Sequence, residues 1–489
     1  MRFLLDTNVL IPLEDSKVAL APSLTQFVRL ASDNGHPLVY HPASERDINR
    51  DLDLKRRQQT LARLKQYQKL DHLPPCPWND PATDPNDAVD NEILHAIDNH
   101  AAKFLVTEDL GIHRKAKVRE LQDRVLTIQM AADLLCRLHD RMQVQIPNIA
   151  DVPLHGIIGQ LPTAFFDSLR AGYSGFNKWF TDKAEEGRRA WVCRTTEGTL
   201  RGLCIFAVQT DMKITDAGVV LPGAALKLCT FKVGDGERGQ KIGELLLKAA
   251  FRFATQNGLE HIFITADPAQ HQRLIDLLED FGFQRAGDYG RDEVYVKRHP
   301  SVRPTPEVDP VTYNKLFFPH YLDDEERGKF IVPVVPTFHS ILFPDYRRPG
   351  DPTPLFELPN ENAAGNAIKL AYLCHATSKQ VRPGDLVLFY RSEDHQSVTS
   401  IGVVERFEIL EDAEAIIGLV RRRTVYSMEE IQEKASKPTK VMLFRLVGHL
   451  GRPIPYTRLK RDGVLKGYPQ SITKIAHDGY LRIMDASRT

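Results

Sequence analysis

Four acids stand where short apolar runs end or a helix opens: Asp6 after Phe3-Leu-Leu, Glu45 after Leu38-Val-Tyr-His-Pro-Ala-Ser, Asp90 on a helix begun by Asp84-Pro85, and Asp109 after Phe104-Leu-Val-Thr-Glu. α/β sheets place ligands at the carboxyl ends of their strands. Hard divalent ions such as Mg²⁺ or Mn²⁺ take oxygen ligands and keep several waters, so converging carboxylates suit a metal site that activates water against a phosphodiester. Asp84-Pro85 reads as an N-cap and first-turn pair. The helix it opens carries Asp87 one turn before Asp90, so Asp87 competes for the third metal position. A second chemistry lies further along. The strand-like run Ala225 to Val233, a glycine-bearing turn from Gly234 to Gly243 and a helix Glu244-Leu-Leu-Leu-Lys-Ala-Ala-Phe form an anion site. Unpaired N–H groups at such a helix start point toward phosphate. Spacing alone leaves a nucleotide and coenzyme A equally open.

At 489 residues the chain is too long for one core, and a prior of roughly 100 to 200 residues per domain gives about three. Its 64 basic and 64 acidic residues cancel, so a nucleic-acid surface has to be a local patch. The six cysteines are scattered, with no CxxC pair; this fits a reduced compartment and gives no structural zinc. No apolar run approaches the roughly 20 residues of a membrane span, and no secretory leader is visible at the start. A soluble, cytoplasmic protein is expected, with self-association left open. Prolines 147 and 153, then 300, 304, 306 and 310, mark two linkers. They divide the chain into residues 1–145, 150–300 and 310–489.

The first segment alternates strand-like and helix-like runs, which predicts a parallel, doubly wound sheet. Its motifs DTNVLI (6–11), SER (44–46), DAVDNEILHAI (87–97) and TED (107–109) resemble the PIN-domain nucleases. The resemblance implies Mg²⁺- or Mn²⁺-dependent RNA cleavage with Asp6, Glu45, Asp90 and Asp109 as catalytic metal ligands, Asp87 remaining a rival. Lys55, Arg56, Arg57, Arg63, Lys65 and Lys69 would hold phosphates or form a solvated helix face.

In the second segment, Val233, RGQKIGELLL (238–247), His261-Ile-Phe-Ile-Thr and Leu278-Glu-Asp-Phe-Gly-Phe resemble the GNAT N-acetyltransferases. The resemblance implies an α+β fold that binds acetyl-CoA through Val233, Arg238, Gly239, Gln240, Lys241, Ile242 and Gly243. Two positions depart from the pattern. Lys241 replaces the first motif glycine, where its side chain either crowds the backbone or adds a cation for phosphate. Leu278 stands where many members carry the tyrosine that protonates the thiolate. A base for the acceptor amine is not legible; Asp235 and Glu237 read as loop acids, Tyr289 and Tyr295 as core or acceptor-site residues.

The third segment's short runs, Lys329 to Val335, Gly384 to Tyr390 and Ser400 to Glu405, suggest a small barrel. With Ala367 to His375 and RPGDLVLFYRS (382–392), they resemble the PUA-like superfamily of ASCH and EVE domains, which implies RNA binding. Arg421, Arg422, Arg423, Tyr426, Arg445, Lys460 and Arg461 are the cations and aromatic that RNA loops use. The expectation is thus a multidomain α/β protein acting on RNA, tRNA among the substrates. It joins a PIN-like nuclease, a GNAT-like acetyltransferase or acetyl-CoA sensor, and a PUA-like β-barrel; a toxin or defence role fits this combination. The alternative is an N-acetyltransferase whose flanking domains only bind substrate.

Overall fold

The computed structural model describes residues 1–14, 22–50, 54–64, 66–78, 85–139, 149–195, 197–234, 241–346, 367–376, 378, 380–420, 423 and 425–488. The chain groups into two compact units. The first holds Met1–Met142 together with Leu410–Arg422 and Tyr426–Lys437; the second holds Gln143–Ile409, Arg423–Val425 and Pro438–Thr489. Among the described residues no helix is long and apolar enough to cross a membrane.

In the first unit β1 (Phe3–Leu5), β2 (Leu38–Tyr40), β3 (Gln68–Lys69), β4 (Phe104–Val106) and β5 (Val125–Leu126) form a sheet of order β3-β2-β1-β4-β5. Every pairing is parallel, as the alternating runs lead one to expect. Phe3, Leu4 and Leu5 are all buried because helices cover both faces. Leu4, Val39, Ile93, Leu105 and Ile112 share one core. The strand order reverses beside β1, so the carboxyl ends of β1 and β4 are the switch point.

Two helices of this unit come from far downstream. Ala413–Val420 and Met428–Ala435 pack on each other, on the Gln122–Arg124 turn and on the Ile128–His139 helix. Ser427 and Glu430 close a capping box on the second of them. The sequence reading assigns these residues to the third segment, since local patterning says nothing about which core an amphipathic helix will cover.

The second unit has two sheets. β6 (Ile149–Pro153), β7 (Arg189–Arg194), β8 (Leu200–Thr210), β9 (Ala224–Val233), β10 (His261–Ala266), β11 (Gln284–Tyr289) and β12 (Asp292–Arg298) run in the order β11-β12-β10-β9-β8-β7-β6. Only the β9–β10 pair is parallel. The Ile242–Gln256 and Gln272–Asp280 helices bury Leu246, Phe251 and Leu278 on one face, while Phe166, Phe176 and Phe180 cover Val192, Leu203 and Ile205 on the other. β13 (Lys329–Val334), β14 (Lys369–Cys374), β15 (Leu386–Arg391), β16 (Ser397–Leu410), β17 (Thr439–Pro455) and β18 (Thr473–Ile475) form a sheet of order β14-β17-β16-β15-β13-β18. Its ladders among the described residues leave β14 and β18 as ends, so the expected barrel closure is not among them.

Residues 301–309 of the stretch expected to be a linker are irregular and mostly exposed, and they lead into a helix. Asp309 caps the Pro310–Phe317 helix, accepting from the N–H groups of Val311 and Thr312. The wholly buried ammonium of Lys297, on β12, donates to the carbonyls of Lys315 and Leu316 at 3.0 and 2.9 Å. These bonds tie the helix to the sheet.

Ile416, Ile417, Val420, Tyr426 and Ile431 are buried in the returning segment. At about 2 kcal/mol for each apolar side chain buried, their loss rivals the whole stability of an ordinary domain. A fragment ending at residue 142 is expected to give no cooperative thermal transition and to bind a hydrophobic dye; a sharp transition in that fragment would contradict this packing.

Candidate functional site

At the switch point of the first unit Asp6 is buried, 5% exposed. Its Oδ1 accepts from the Thr7 N–H at 2.7 Å and its Oδ2 from the Thr107 hydroxyl at 2.6 Å. Burial pushes its pKa up to about 6 against those bonds, and Asp90 and Asp109 add to the rise. Asp6, Asp90 and Asp109 are therefore close enough to feel one another's charge, as the motif reading expects.

The remaining geometry differs from a four-acid ion site. Lys115 lies 2.8 Å from Asp87 Oδ1 and 3.1 Å from Asp90 Oδ2, so an ammonium already serves both rivals for the third position. Lys115 is held protonated by the two carboxylates despite burial. Asp90 stays above its ordinary value because burial, with Asp109 and Asp87, outweighs Lys115. Asp109 is used as an N-cap, accepting from the Gly111 and Ile112 N–H groups. Glu45 faces elsewhere: Tyr40 donates to it at 2.8 Å and Lys69 at 2.6 Å. The Lys69 bond holds Glu45 below the usual carboxylate range. No group of three or more His, Cys, Asp or Glu side chains among the described residues is arranged to hold a metal ion. The donor set does not fit the expected Mg²⁺ or Mn²⁺ site, because all five acids are served by protein donors and two of those donors, Lys115 and Lys69, are cations. A cleft of about 510 Å³ in this unit is walled by His41, Cys76, Glu92 and His95 and contains none of the five acids.

Of the expected phosphate-binding cations, the side chains of Lys55, Arg56, Arg63 and Lys65 lie outside the described residues, and the other two are engaged. Lys69 serves Glu45, and Arg57 donates to the Asn49 carbonyl. In the second unit Arg445 is 1% exposed over its side chain, bonded to Asn314 Oδ1 at 3.1 Å and Glu405 Oε1 at 3.2 Å. Arg423 pairs with the other oxygen of Glu405. Burial raises the pKa of Glu405, yet Arg423, Lys369 and Arg445 prevail and hold it far below the usual range. Tyr426 is buried in the first unit. Tyr426 and Arg445 are thus interior groups and Arg423 is half-buried on Glu405; a run of charges in sequence does not say which side chains turn inward.

The second unit holds a different site. β9 and β10 pair from Ala225–His261 to Leu228–Ile264 and then part. On its other side β9 stays paired with β8 as far as Val233 opposite Gly202, skipping Cys229, so that Thr230 faces Ile205 and Leu228 faces Phe206. The extra residue is a β-bulge, which bends the strand. Beyond it, β9 keeps one edge without a ladder, facing the gap that opens toward β10. The Ile242–Gln256 helix begins at the far end of that stretch. Gly243 sits so close to the sheet and the next helix that a Cβ would lie 2.8 Å from Leu277 Cδ2. A Cβ on Gly202 would overlap Ile242 Cγ2. Val233 thus lies on the stretch of β9 beyond its ladder with β10, and Ile242 and Gly243 lie in the first turn of the helix. Arg238, Gly239 and Gln240, like Asp84, Asp235, Glu237, Arg421 and Arg422, lie outside the described residues.

Lys241 is resolved between the two readings the sequence leaves open. Its backbone takes the left-handed conformation, φ 59° and ψ 14°, that a glycine would adopt without strain. Its ammonium donates to the Lys369 carbonyl at 2.7 Å, and Glu244 Oε1 accepts from the Lys369 N–H at 2.7 Å. The start of the helix thus holds both backbone polar groups of one residue of β14. Leu278 is fully buried in the core. Tyr295 donates to Glu293 at 2.6 Å and Tyr289 is exposed.

Sequence reasoning missed a cluster at the carboxyl end of β10. Asp267 follows that strand at once, as Asp6 follows β1; the same strand-end rule, applied to His261–Ala266, would have found it. Asp267 accepts from Ala269 N–H at 2.9 Å and Gln270 Nε2 at 3.2 Å. Its backbone N–H donates to His271 Nδ1 at 3.2 Å. Arg291 lies 3.7 Å from Asp267, 3.9 Å from Asp292 and over the Tyr173 ring. Burial foremost lowers the pKa of His271, and burial then Asp292 raise that of Tyr173. Both are neutral near pH 7.

Residues 159–283 match the model of the acetyltransferase (GNAT) family. Solved structures similar to parts of the chain include the GNAT family N-acetyltransferase YhbS of Escherichia coli in complex with CoA, at 19% identity over 33% of this chain and 85% of that one, TM-score 0.24. The PaiA N-acetyltransferase of Thermoplasma acidophilum in complex with coenzyme A shows 14% identity over 31% and 99%, TM-score 0.24. ASCH from Zymomonas mobilis shows 14% identity over 32% and 94%, TM-score 0.24. No curated protein matches the chain.

Asp6 titrates from about 3.8 unfolded to about 6 folded. The folded chain then binds more protons between those values, so stability falls as pH rises through that window. Asp6→Asn removes the charge and is expected to raise the stability of the first unit at neutral pH by up to about 3 kcal/mol, measured by denaturant unfolding. A less stable variant at neutral pH, with unaltered pH dependence, would contradict the assignment.

Proposed function

We propose, from the GNAT acetyltransferase domain in residues 159–283, that the protein is an acetyl-CoA-dependent N-acetyltransferase. The observation that carries the reading is the bulge at Cys229, which frees the outer half of β9 from β10 directly before a helix start. Acetyl-CoA would lie in that gap, with the Val233 main chain holding the pantetheine end. The N–H groups of Ile242 and Gly243, with Arg238, Gly239 and Gln240, would hold the pyrophosphate. Lys241 would act by fixing the helix start, since its ammonium is spent on Lys369. The acceptor is an amine on RNA, aminoacyl-tRNA or protein, with residues 310–489, apart from the segments that return to the first unit, as a PUA-like RNA-binding part and the first unit as a PIN-like one. An acetyl-CoA sensor built on the same cleft would bind the ligand and transfer nothing.

A second reading, RNA cleavage by the first unit, is favoured by one observation: Asp6, Asp90 and Asp109 crowd their charges at a switch point. It requires Lys115 to leave Asp90. Incubation of total RNA with the wild type and Asp6→Asn, with and without Mn²⁺, tests it, and intact RNA throughout ends it.

For the first reading, acetyl-CoA is expected to bind one to one in calorimetry and, at a hundredfold excess over Kd, to stabilise the second unit by about 2.7 kcal/mol. Gly243→Val, which forces the helix off Leu277, is expected to weaken that binding at least tenfold. No heat of binding and no shift in melting would refute it.

A further inference from the structure

The cleft of about 510 Å³ in the first unit is walled by the residue after β2, one side of the Pro85–Asp98 helix and the chain that follows β3. Its volume lies in the range of small-ligand sites, roughly 300 to 1,000 Å³. His41 and His95 stand in its wall, 5% and 7% exposed, and Leu70, Leu73, Pro74 and Pro75 supply apolar surface. Hydrogen bonds assign the tautomer of each ring. The Ala43 N–H donates to His41 Nδ1 at 3.0 Å, which puts the His41 proton on Nε2. Burial keeps this ring neutral, lowering its pKa to about 4. Asn99 Nδ2 donates to His95 Nε2 at 2.7 Å and to the His95 carbonyl at 3.0 Å, which puts the His95 proton on Nδ1. Trp78 packs edge-on against that ring, 5.1 Å between centroids.

Neither His41 Nε2 nor His95 Nδ1 has a hydrogen-bond partner among the described residues. Glu92, also in the wall, gives Oε2 to Arg46 at 2.5 Å and leaves Oε1 without a partner among them. The cleft thus offers two N–H donors and one carboxylate acceptor between apolar surfaces. A ring nitrogen that already carries its proton neither ligates a metal nor takes up another proton, so these histidines recognise a ligand and do no chemistry on it. Uncharged donors beside a carboxylate select a neutral group over an anion.

We infer that this cleft is a pocket for an unpaired pyrimidine base. Uracil and cytosine carry two acceptors and one donor on their Watson–Crick edge, the complement of the two imidazole N–H groups and Glu92. Adenine and guanine each carry a single acceptor on that edge and leave one histidine unpaired. The flat apolar faces of the base would lie against the proline and leucine walls. The pocket is independent of the acetyl-transfer reading and of any metal at Asp6.

The test is isothermal titration of the full-length protein, in chelator, with UMP, CMP, AMP and UMP methylated at its imide nitrogen, and with short oligouridylate and oligoadenylate RNAs. UMP and CMP are expected to bind about tenfold more tightly than AMP and than the methylated nucleotide. Oligouridylate binding more tightly than UMP makes the occupant a base of an RNA strand; equal affinities make it the free nucleotide, and either supports the pocket. His95→Phe keeps a ring against Trp78 and removes the donor; it is expected to weaken UMP binding about tenfold, and His95→Asn to recover part of the loss. Should His95→Phe fail to fold, the methylated nucleotide decides on the wild type. No binding of a pyrimidine nucleotide or RNA, AMP or methylated UMP bound as tightly as UMP, or a folded His95→Phe with unchanged affinity, overturns the inference.

Discussion

Cys229 is one residue more than the ladder between β8 and β9 can pair, and the second unit's site depends on where that residue goes. Accommodating it bends β9 away from β10 after Leu228 while β8 keeps hold of the other edge. A parallel pair would otherwise run closed to the end of the sheet. The opened end leaves β9 beyond Leu228 outside any ladder with β10, and the first turn of the Ile242–Gln256 helix lies beside Val233. Gly202 and Gly243 then permit the helix to lie close against the strands. A bulge, two close approaches and one helix start thus come together at one end of the sheet.

The helix that begins there also joins the two sheets of the second unit. Lys241 and Glu244 hold the Lys369 peptide, and Lys248, a turn further on, pairs with Asp345 at 2.7 Å. Asp345 accepts from His449, and His449 is bonded to Ser400 at 2.8 Å. Burial works against the Asp345 charge, but Lys248 and His449 prevail and keep its carboxyl ionised well below the ordinary range. Charged seams of this kind add little net stability against an apolar equivalent, because desolvation offsets the attraction, yet removing one partner leaves a buried charge unpaired and costs several kcal/mol. Their effect is to fix one register of helix against sheet.

The strand runs of the first unit were legible because β1 and β4 are apolar throughout and end abruptly in acids, which is how a doubly covered parallel strand reads. The order of the motifs around Val233 and Gly243 was legible for the same reason: strand, turn and helix are contiguous. What sequence could not show was the partner of each charge. Lys115 standing between Asp87 and Asp90, Lys69 on Glu45 and Lys241 on Lys369 are contacts between distant segments. The bulge left no mark, since Cys229 interrupts no apolar pattern. Neither did the return of residues 410–437 to the first unit, because a short amphipathic helix fits any apolar groove. Asp267 follows β10 as Asp6 follows β1 and is legible by the same strand-end rule, whereas Asp292 opens β12, where that rule gives no signal.

The most direct measurement of the central claim is amide hydrogen exchange of the full-length protein with and without acetyl-CoA. Protection is predicted to rise in residues 229–233 and at the start of the Ile242–Gln256 helix, with β1 and β4 of the first unit unchanged. Unaltered exchange along the freed half of β9 under saturating acetyl-CoA would contradict the account.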